Sequence, residues 1–320
     1  MHVKSVDALK CFAILAVILG HIGTPFTTFI FGWHMPLFFF IAGFFIKPDE
    51  TIKVHLIKSS KRLLIPYVIF ALIGLLVVMI KNPVLHRPEA SLSEGLMAIF
   101  YYMDTAHITT YANVLWFLPT LFLCRLSLLL LLKFIKNTFV IALITIGLAC
   151  LSVGLNLTLA FALPQVMASL IWVYAGYLFF NHYRQTPWFE NKVYFSLSVL
   201  LLALPLIYFN MPLLNVAEMS FSDPLYNYVY SLIIVWLISS MFIKIDLLSR
   251  SNLVNWIGAN TMSIFIFHTY TNNLSQALVA HFIPGAWYIT FMLSLGMLAV
   301  LLRLKQKIQH YSWASILRMI

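Results

Sequence analysis

Ten apolar stretches of about 17–25 residues, each long enough to cross a hydrocarbon core as an α-helix, run almost back to back through the chain. They fall at 8–24, 26–46, 63–80, 113–132, 138–157, 161–180, 193–209, 226–243, 253–278 and 287–302. A chain so built does not fold as a soluble globule. Of its 320 residues 62% are hydrophobic and 9% charged, against roughly 45–50% and 25% in soluble domains. The expected fold is all-α: a polytopic membrane protein of about ten transmembrane helices, with both termini on one side.

Cation placement tests that count, because cytoplasmic helix ends and loops carry the excess of Lys and Arg. With the N-terminus inside, all but Lys81, Arg87 and Arg125 of the 20 cations fall on cytoplasmic ends or loops, so both termini are expected to be cytoplasmic. Topology and attraction to anionic lipid then account for the net charge of +10, and a nucleic-acid partner has no support. The longest non-spanning stretch, 81–112, is expected outside the membrane, with 92–102 as an interfacial helix. No internal repeat or linker divides the chain, so residues 1–320 read as a single transmembrane domain. The first stretch lacks a small-residue cleavage site and carries Asp7, Lys10 and His21, so it reads as a retained helix. Cys11, Cys124 and Cys150 lie in apolar stretches without ligand spacing, so neither a disulfide framework nor a metal site is expected.

An ionisable side chain inside a span costs at least a few kcal/mol and is a functional candidate by default. His21, Arg125 and His268 qualify. Lys10 and His21, about three helical turns and about 16 Å apart, share one face of the first helix, with Asp7 near it and Ile14 and Val17 between. Charge at the cytoplasmic end, an apolar middle and an imidazole near the outer end suit an extended cofactor with an anionic head. Bland readings stand beside these. His21 can merely bond a neighbouring helix, Lys10 can snorkel, Arg125 can be paired structurally as readily as bind an anion, and His268 is open in the same way. Lys58, Lys61 and Arg62 lead into the third stretch, where topology and lipid contact are their default roles and phosphate binding is the functional one. Prolines at His34-Met35-Pro36 and Trp116-Phe117-Leu118-Pro119 can simply shape the backbone.

The run from Asp7 through Lys10 to His21, followed by Trp33-His34-Met35-Pro36-Leu37-Phe38-Phe39-Phe40-Ile41-Ala42-Gly43, resembles the membrane-bound acyltransferase family three. Lys61-Arg62-Leu63-Leu64-Ile65-Pro66-Tyr67, Leu115-Trp116-Phe117-Leu118-Pro119 and Ile257-Gly258-Ala259-Asn260-Thr261-Met262-Ser263 with His268 continue the likeness across nearly the whole chain. The resemblance implies an O-acyltransferase. It would move an acyl group, usually acetyl, from cytoplasmic acyl-CoA to a sugar hydroxyl of an extracytoplasmic or lipid-linked glycan. O-antigen and exopolysaccharide modification in a bacterial inner membrane are typical settings. It also implies His21 as the catalytic residue and Lys10, Lys58, Lys61 and Arg62 as candidates to hold acetyl-CoA, to which the mid-span position of Arg125 adds that residue. Asp7, His34, Trp116, Asn260, Ser263 and His268 would support them. Lysine at position 10 departs from the family's frequent arginine, and a lysine cannot make arginine's bidentate phosphate contact.

On this reading cytoplasmic cations grip the CoA phosphates, the pantetheine arm follows the apolar stripe, and His21 meets the thioester near the outer side. His21 would act as general base on the acceptor hydroxyl or form an acyl-histidine. Asp7, about 21 Å away along the helix, cannot orient His21 and is expected to pair with a nearby cation such as Lys10. The rival from another class is a transporter or flippase for a glycan, lipid or small anion, because intramembrane histidine and arginine also mark transport pathways.

Overall fold

The computed structural model describes residues 4–84, 86, 91–108, 112–155, 159–192, 195–201, 213–244, 248–310 and 320. The first half holds α1 (Lys4–Gly20), α2 (Thr27–Phe31), α3 (His34–Gly43), α4 (Ile52–Ser59), α5 (Ile65–Val84), α6 (Leu92–Met97), α7 (Phe117–Phe134) and α8 (Thr138–Gly154). It continues with α9 (Leu163–Asn181), α10 (Pro187–Glu190), α11 (Pro224–Lys244), α12 (Asn252–Ala259), α13 (Thr261–Phe282) and α14 (Trp287–Ile308). The one ribbon among the described residues pairs β1 (Leu214–Asn215) antiparallel with β2 (Ser220–Phe221), Leu214 opposite Phe221.

Five helical stretches among the described residues are long and apolar enough to cross a membrane: Ile52–Val84, Asn113–Phe134, Leu163–Gln185, Pro224–Lys244 and Trp287–Ile308. Thr27–Gly43 and Thr138–Gly154 are shorter apolar helices. Most of the expected stretch 193–209 lies outside the described residues, and each of the other nine falls on helix. Their boundaries differ from the expected ones for local reasons. The stretch 26–46 is broken around Gly32 and Trp33 into α2 and α3, and 253–278 is broken at Asn260. There the Asn260 side chain donates to the Trp256 carbonyl at 2.8 Å and closes α12. A short polar side chain bonding its own backbone competes with helix continuation in this way.

The third helix is longer than its apolar core suggests. α4 and α5 join through a π turn at Ser60–Leu64, in which the Ile65 amide reaches the Ser60 carbonyl. Pro66 has no N–H to give the Arg62 carbonyl, and its ring crowds that carbonyl, so the ladder widens by one residue here. A second π turn, Ala98–Tyr102, follows α6 and ends at Met103, whose left-handed φ of 59° stops the helix. The expected helix at 92–102 is therefore present, as α6 plus this turn.

Burial is distributed as lipid demands. Large apolar side chains such as Ile80, Val84, Phe134, Phe139, Leu225 and Met292 are exposed, while Asn227, Ser231, His268, Asn272 and Ser294 are buried. In lipid the outer surface can be hydrocarbon, and polar groups find partners inside. α1 is the hub: 12 of its 17 residues are buried, and α3, α11, α12 and α13 pack around it.

Two close approaches fix this packing. α3 crosses α9 where Gly43 faces Val173 and Gly176 faces Phe40, and a Cβ on either glycine would collide with the opposing backbone carbonyl. Gly258 of α12 meets the Asp7 carbonyl of α1 in the same manner. Small residues let helices touch backbone to backbone, the main source of packing energy where lipid removes the hydrophobic drive. Gly176→Ala should therefore destabilise the protein by about 1–3 kcal/mol, read as a lower melting temperature in detergent. An unchanged melting temperature would mean that α3 and α9 do not approach this closely.

Candidate active site

α1 ends at Gly20 because His21 begins a turn, and the carbonyls of its last turn seek partners. The His21 ring supplies one, its Nδ1 lying 2.9 Å from the Val17 carbonyl. Two more histidines stand beside it. The His268 ring is 5.2 Å from that of His21, centroid to centroid, and the His34 ring 6.0 Å, both edge-on. His34 Nδ1 lies 2.8 Å from the Ile30 carbonyl and His268 Nδ1 2.7 Å from the Phe265 carbonyl. A carbonyl only accepts, so each neutral ring carries its hydrogen on Nδ1 and presents Nε2 as an acceptor or base.

These rings face a small chamber of about 40 Å³, lined also by Val17, Met35 and Trp116, with room for about one water molecule. His268 is fully buried, and its Nε2 has no partner among the described residues. Close as the imidazoles are, no group of three His, Cys, Asp or Glu that could hold a metal is found among the described residues.

His21 and Trp116 also border a much larger cleft of about 1230 Å³. Asn82, Glu94, Asn113, Asn215, Glu218 and Asn272 contribute polar groups to its wall, and Lys81 and His107 add basic ones. The rim is cross-bonded. Thr105 Oγ1 and Gln165 Nε2 both donate to the Ala217 carbonyl, at 2.9 and 3.2 Å, and Asp104 Oδ1 accepts from His107 Nδ1 at 2.7 Å. The Tyr102 ring stacks flat on His107 at 3.5 Å. A wide cavity lined by amides, carboxylates and aromatic faces, with a free imidazole nitrogen at one end, is suited to binding a polyhydroxyl compound and deprotonating one hydroxyl.

The remaining candidates form separate groups. Lys10 donates to Asp7 at 3.2 Å, the pairing that helix spacing anticipates, and its ammonium lies 5.4 Å from the Phe45 ring centre. Lys58 bonds Glu50 Oε1 at 2.8 Å, and His55 bonds Glu50 Oε2 at 3.0 Å. The Lys58 ammonium is the main reason that the Glu50 carboxyl is held below the usual carboxylate range. Lys61 and Arg62 are exposed on the π turn. α7 packs on that turn and on α4, which brings Arg125 within electrostatic reach of Arg62 and Glu50. The Arg125 Nε is buried without a partner among the described residues.

Two family-motif residues take local bonding roles. Asn260 closes α12, and Ser263 donates to the Ile320 carbonyl oxygen at 2.8 Å while accepting from Lys305 at 2.6 Å. The apolar stripe is packed rather than open: Ile14 and Val17 are both fully buried, and of the two Val17 borders the small chamber.

Sequence reading missed Asn272, Asn215 and the residues of the outer rim. For Asn272 a signal existed, since Thr269, Asn272, Asn273 and Gln276 make α13 polar along much of its length, and polar residues in a span mark function by default. No such signal marks Asn215, which the β1–β2 ribbon carries to the cleft from far along the chain.

In comparison with known proteins, the model of acyltransferase family 3, described as an acyltransferase domain, matches residues 3–303. No curated protein and no solved structure matches the chain.

Proposed function

Because the chain belongs to acyltransferase family 3, and is on that ground a membrane acyltransferase, we propose that it transfers an acetyl group from cytoplasmic acetyl-CoA to a sugar hydroxyl. The acceptor is an extracytoplasmic or lipid-linked glycan. The observation that carries this reading is the placement of His21. Its Nδ1–H is spent on the Val17 carbonyl, and its ring stands at the boundary between the small chamber and the polar outer cleft. A neutral imidazole fixed in this tautomer is a general base near neutral pH.

In this mechanism the acceptor hydroxyl gives its proton to His21 Nε2 as its oxygen attacks the thioester carbonyl. The tetrahedral adduct then expels the CoA thiolate, which takes the proton from His21. Arg125, Arg62, Lys61 and Lys58 hold the phosphates of CoA, Arg125 offering a buried Nε–H that has no partner among the described residues. Lys10, already paired with Asp7, contributes charge near that face. His34, Trp116 and His268 shape the chamber beside the reacting atoms, while Asn260 and Ser263 order the ends of α12 and α13. Entry of the pantetheine arm requires the side chains packed around Ile14 to part.

The same reading places ten helices across a bacterial inner membrane as a single acyltransferase domain, both termini inside. Reconstitution into liposomes with accessible cytoplasmic faces tests it. Acetyl-CoA supplied with candidate lipid-linked glycans should release CoA only when an acceptor is present, and the glycan should gain an acetyl ester. Accumulation of a glycan without consumption of CoA would point to transport and overturn it.

A further inference from the structure

The three imidazoles offer acceptors, and in their neutral tautomers they have no N–H left for a substrate. Acyl transfer also needs a donor, because the thioester oxygen becomes an oxyanion in the tetrahedral adduct. Asn272 lies four residues after His268 on α13, hence on the same helix face, and lines the outer cleft together with His21. It is almost fully buried, at 2% exposure.

Its amide is locked by a chain of bonds. Thr271 Oγ1 and Ser294 Oγ are 2.9 Å apart, Ser294 donates to Asn272 Oδ1 at 2.7 Å, and Asn272 Nδ2 donates to the Ile18 carbonyl of α1 at 3.1 Å. The Ile18 carbonyl can only accept, so it fixes which end of the amide faces α1: a flipped amide would lose that bond and set two oxygens against each other. One Nδ2 hydrogen is thereby committed. The second has no acceptor among the described residues, on a side chain held three positions from His21 by its bond to α1. Gln276 Nε2 reinforces the contact one turn later, 3.4 Å from the His21 carbonyl.

We propose that Asn272 is a catalytic residue, its second Nδ2–H donating to the thioester oxygen as negative charge develops there. The assignment rests on the transferase reading. As the acceptor oxygen bonds to the acyl carbon, the carbonyl π pair moves onto oxygen and is met by the amide. When that pair returns, the C–S bond breaks and the thiolate takes the hydroxyl proton from His21. Ser294 acts through Asn272 as a positioning residue.

The test is steady-state acetyl transfer by the full chain in liposomes, with binding of a non-transferable thioether analogue of acetyl-CoA measured alongside. Asn272→Ala should lower kcat about 100- to 1000-fold, the usual effect of losing one oxyanion donor, with analogue affinity changed by less than about threefold. Chloroacetyl-CoA, whose carbonyl needs less help, should lose less than acetyl-CoA. If the amide only ties α13 to α1, both acyl donors lose rate alike, and that result overturns the proposal. Should Asn272→Ala fail to fold, Ser294→Ala decides. Held by the Ile18 carbonyl alone, the amide is less well fixed, which should cost about tenfold in kcat at unchanged analogue affinity, and wild-type kcat would refute the assignment. A folded wild-type protein inactive toward a glycan known to be acetylated in cells would instead overturn the transferase reading, and this assignment with it.

Discussion

His21→Ala should lower kcat for acetyl transfer by about 10²- to 10⁴-fold, the range spanned by a positioned general base, while the KM for acetyl-CoA stays close to wild type. The geometry sets this split. The ring is tied to its own helix through Val17 and touches Phe31, His34 and His268, whereas the cations assigned to the CoA phosphates lie on α4, the π turn and α7. Removing the ring opens space beside the small chamber without disturbing a phosphate contact. His21→Gln, which restores bulk and a polar tip but no base, should stay as slow as the alanine variant. If His21 only braces α1 against α13, both variants should lower the melting temperature and leave kcat within about tenfold. Single-turnover labelling in the absence of acceptor separates the two chemical routes. Trapped acetyl on His21 would make the imidazole a nucleophile, and none would leave it a base.

Much of this centre is legible in the sequence because a bilayer makes polar residues conspicuous. His21 and His268 stand out in apolar stretches, and lysine spacing along α1 marks the Lys10–Asp7 pair. Their convergence is another matter. His34 and His268 are separated from His21 by 13 and 247 positions, and only the packing of α3 and α13 around α1 brings the three rings together. Helix interruptions divide along the same line. Asn260 and Pro66 are readable breakers, Pro66 widening its helix into the π turn at Ser60–Leu64, but no proline marks the second π turn at Ala98–Tyr102. The outer cleft was the least legible part. Its wall draws on α5, α6, the turn after it, the loop at 105–108, the turn at 113–116, the β1–β2 ribbon and α13, and no periodicity in one segment reports a surface shared by so many.

Arg125→Gln should raise the KM for acetyl-CoA about 10- to 150-fold with little change in kcat. That corresponds to the roughly 1.5–3 kcal/mol of a hydrogen bond to a charged group. The alternative is a structural ion pair, and the local bonding argues against it. Glu50 is the carboxylate within electrostatic reach of Arg125, yet its close contacts among the described residues are with Lys58 and His55 and not with Arg125. Arg62, the other close charge, repels. A guanidinium held in this way, with Nε buried and unpartnered, gains most from an anion arriving from outside the chain. Arg125→Lys should recover only part of the affinity, since a lysine keeps the charge and loses the planar fork. Dephospho-CoA thioesters locate the contact. If Arg125 meets the 3′-phosphate, wild type should bind the dephospho donor as weakly as Arg125→Gln binds acetyl-CoA, and the two losses should not add. A lowered melting temperature with an unchanged KM would make Arg125 a structural partner within the bundle and leave the phosphate grip to Lys58 and the π turn.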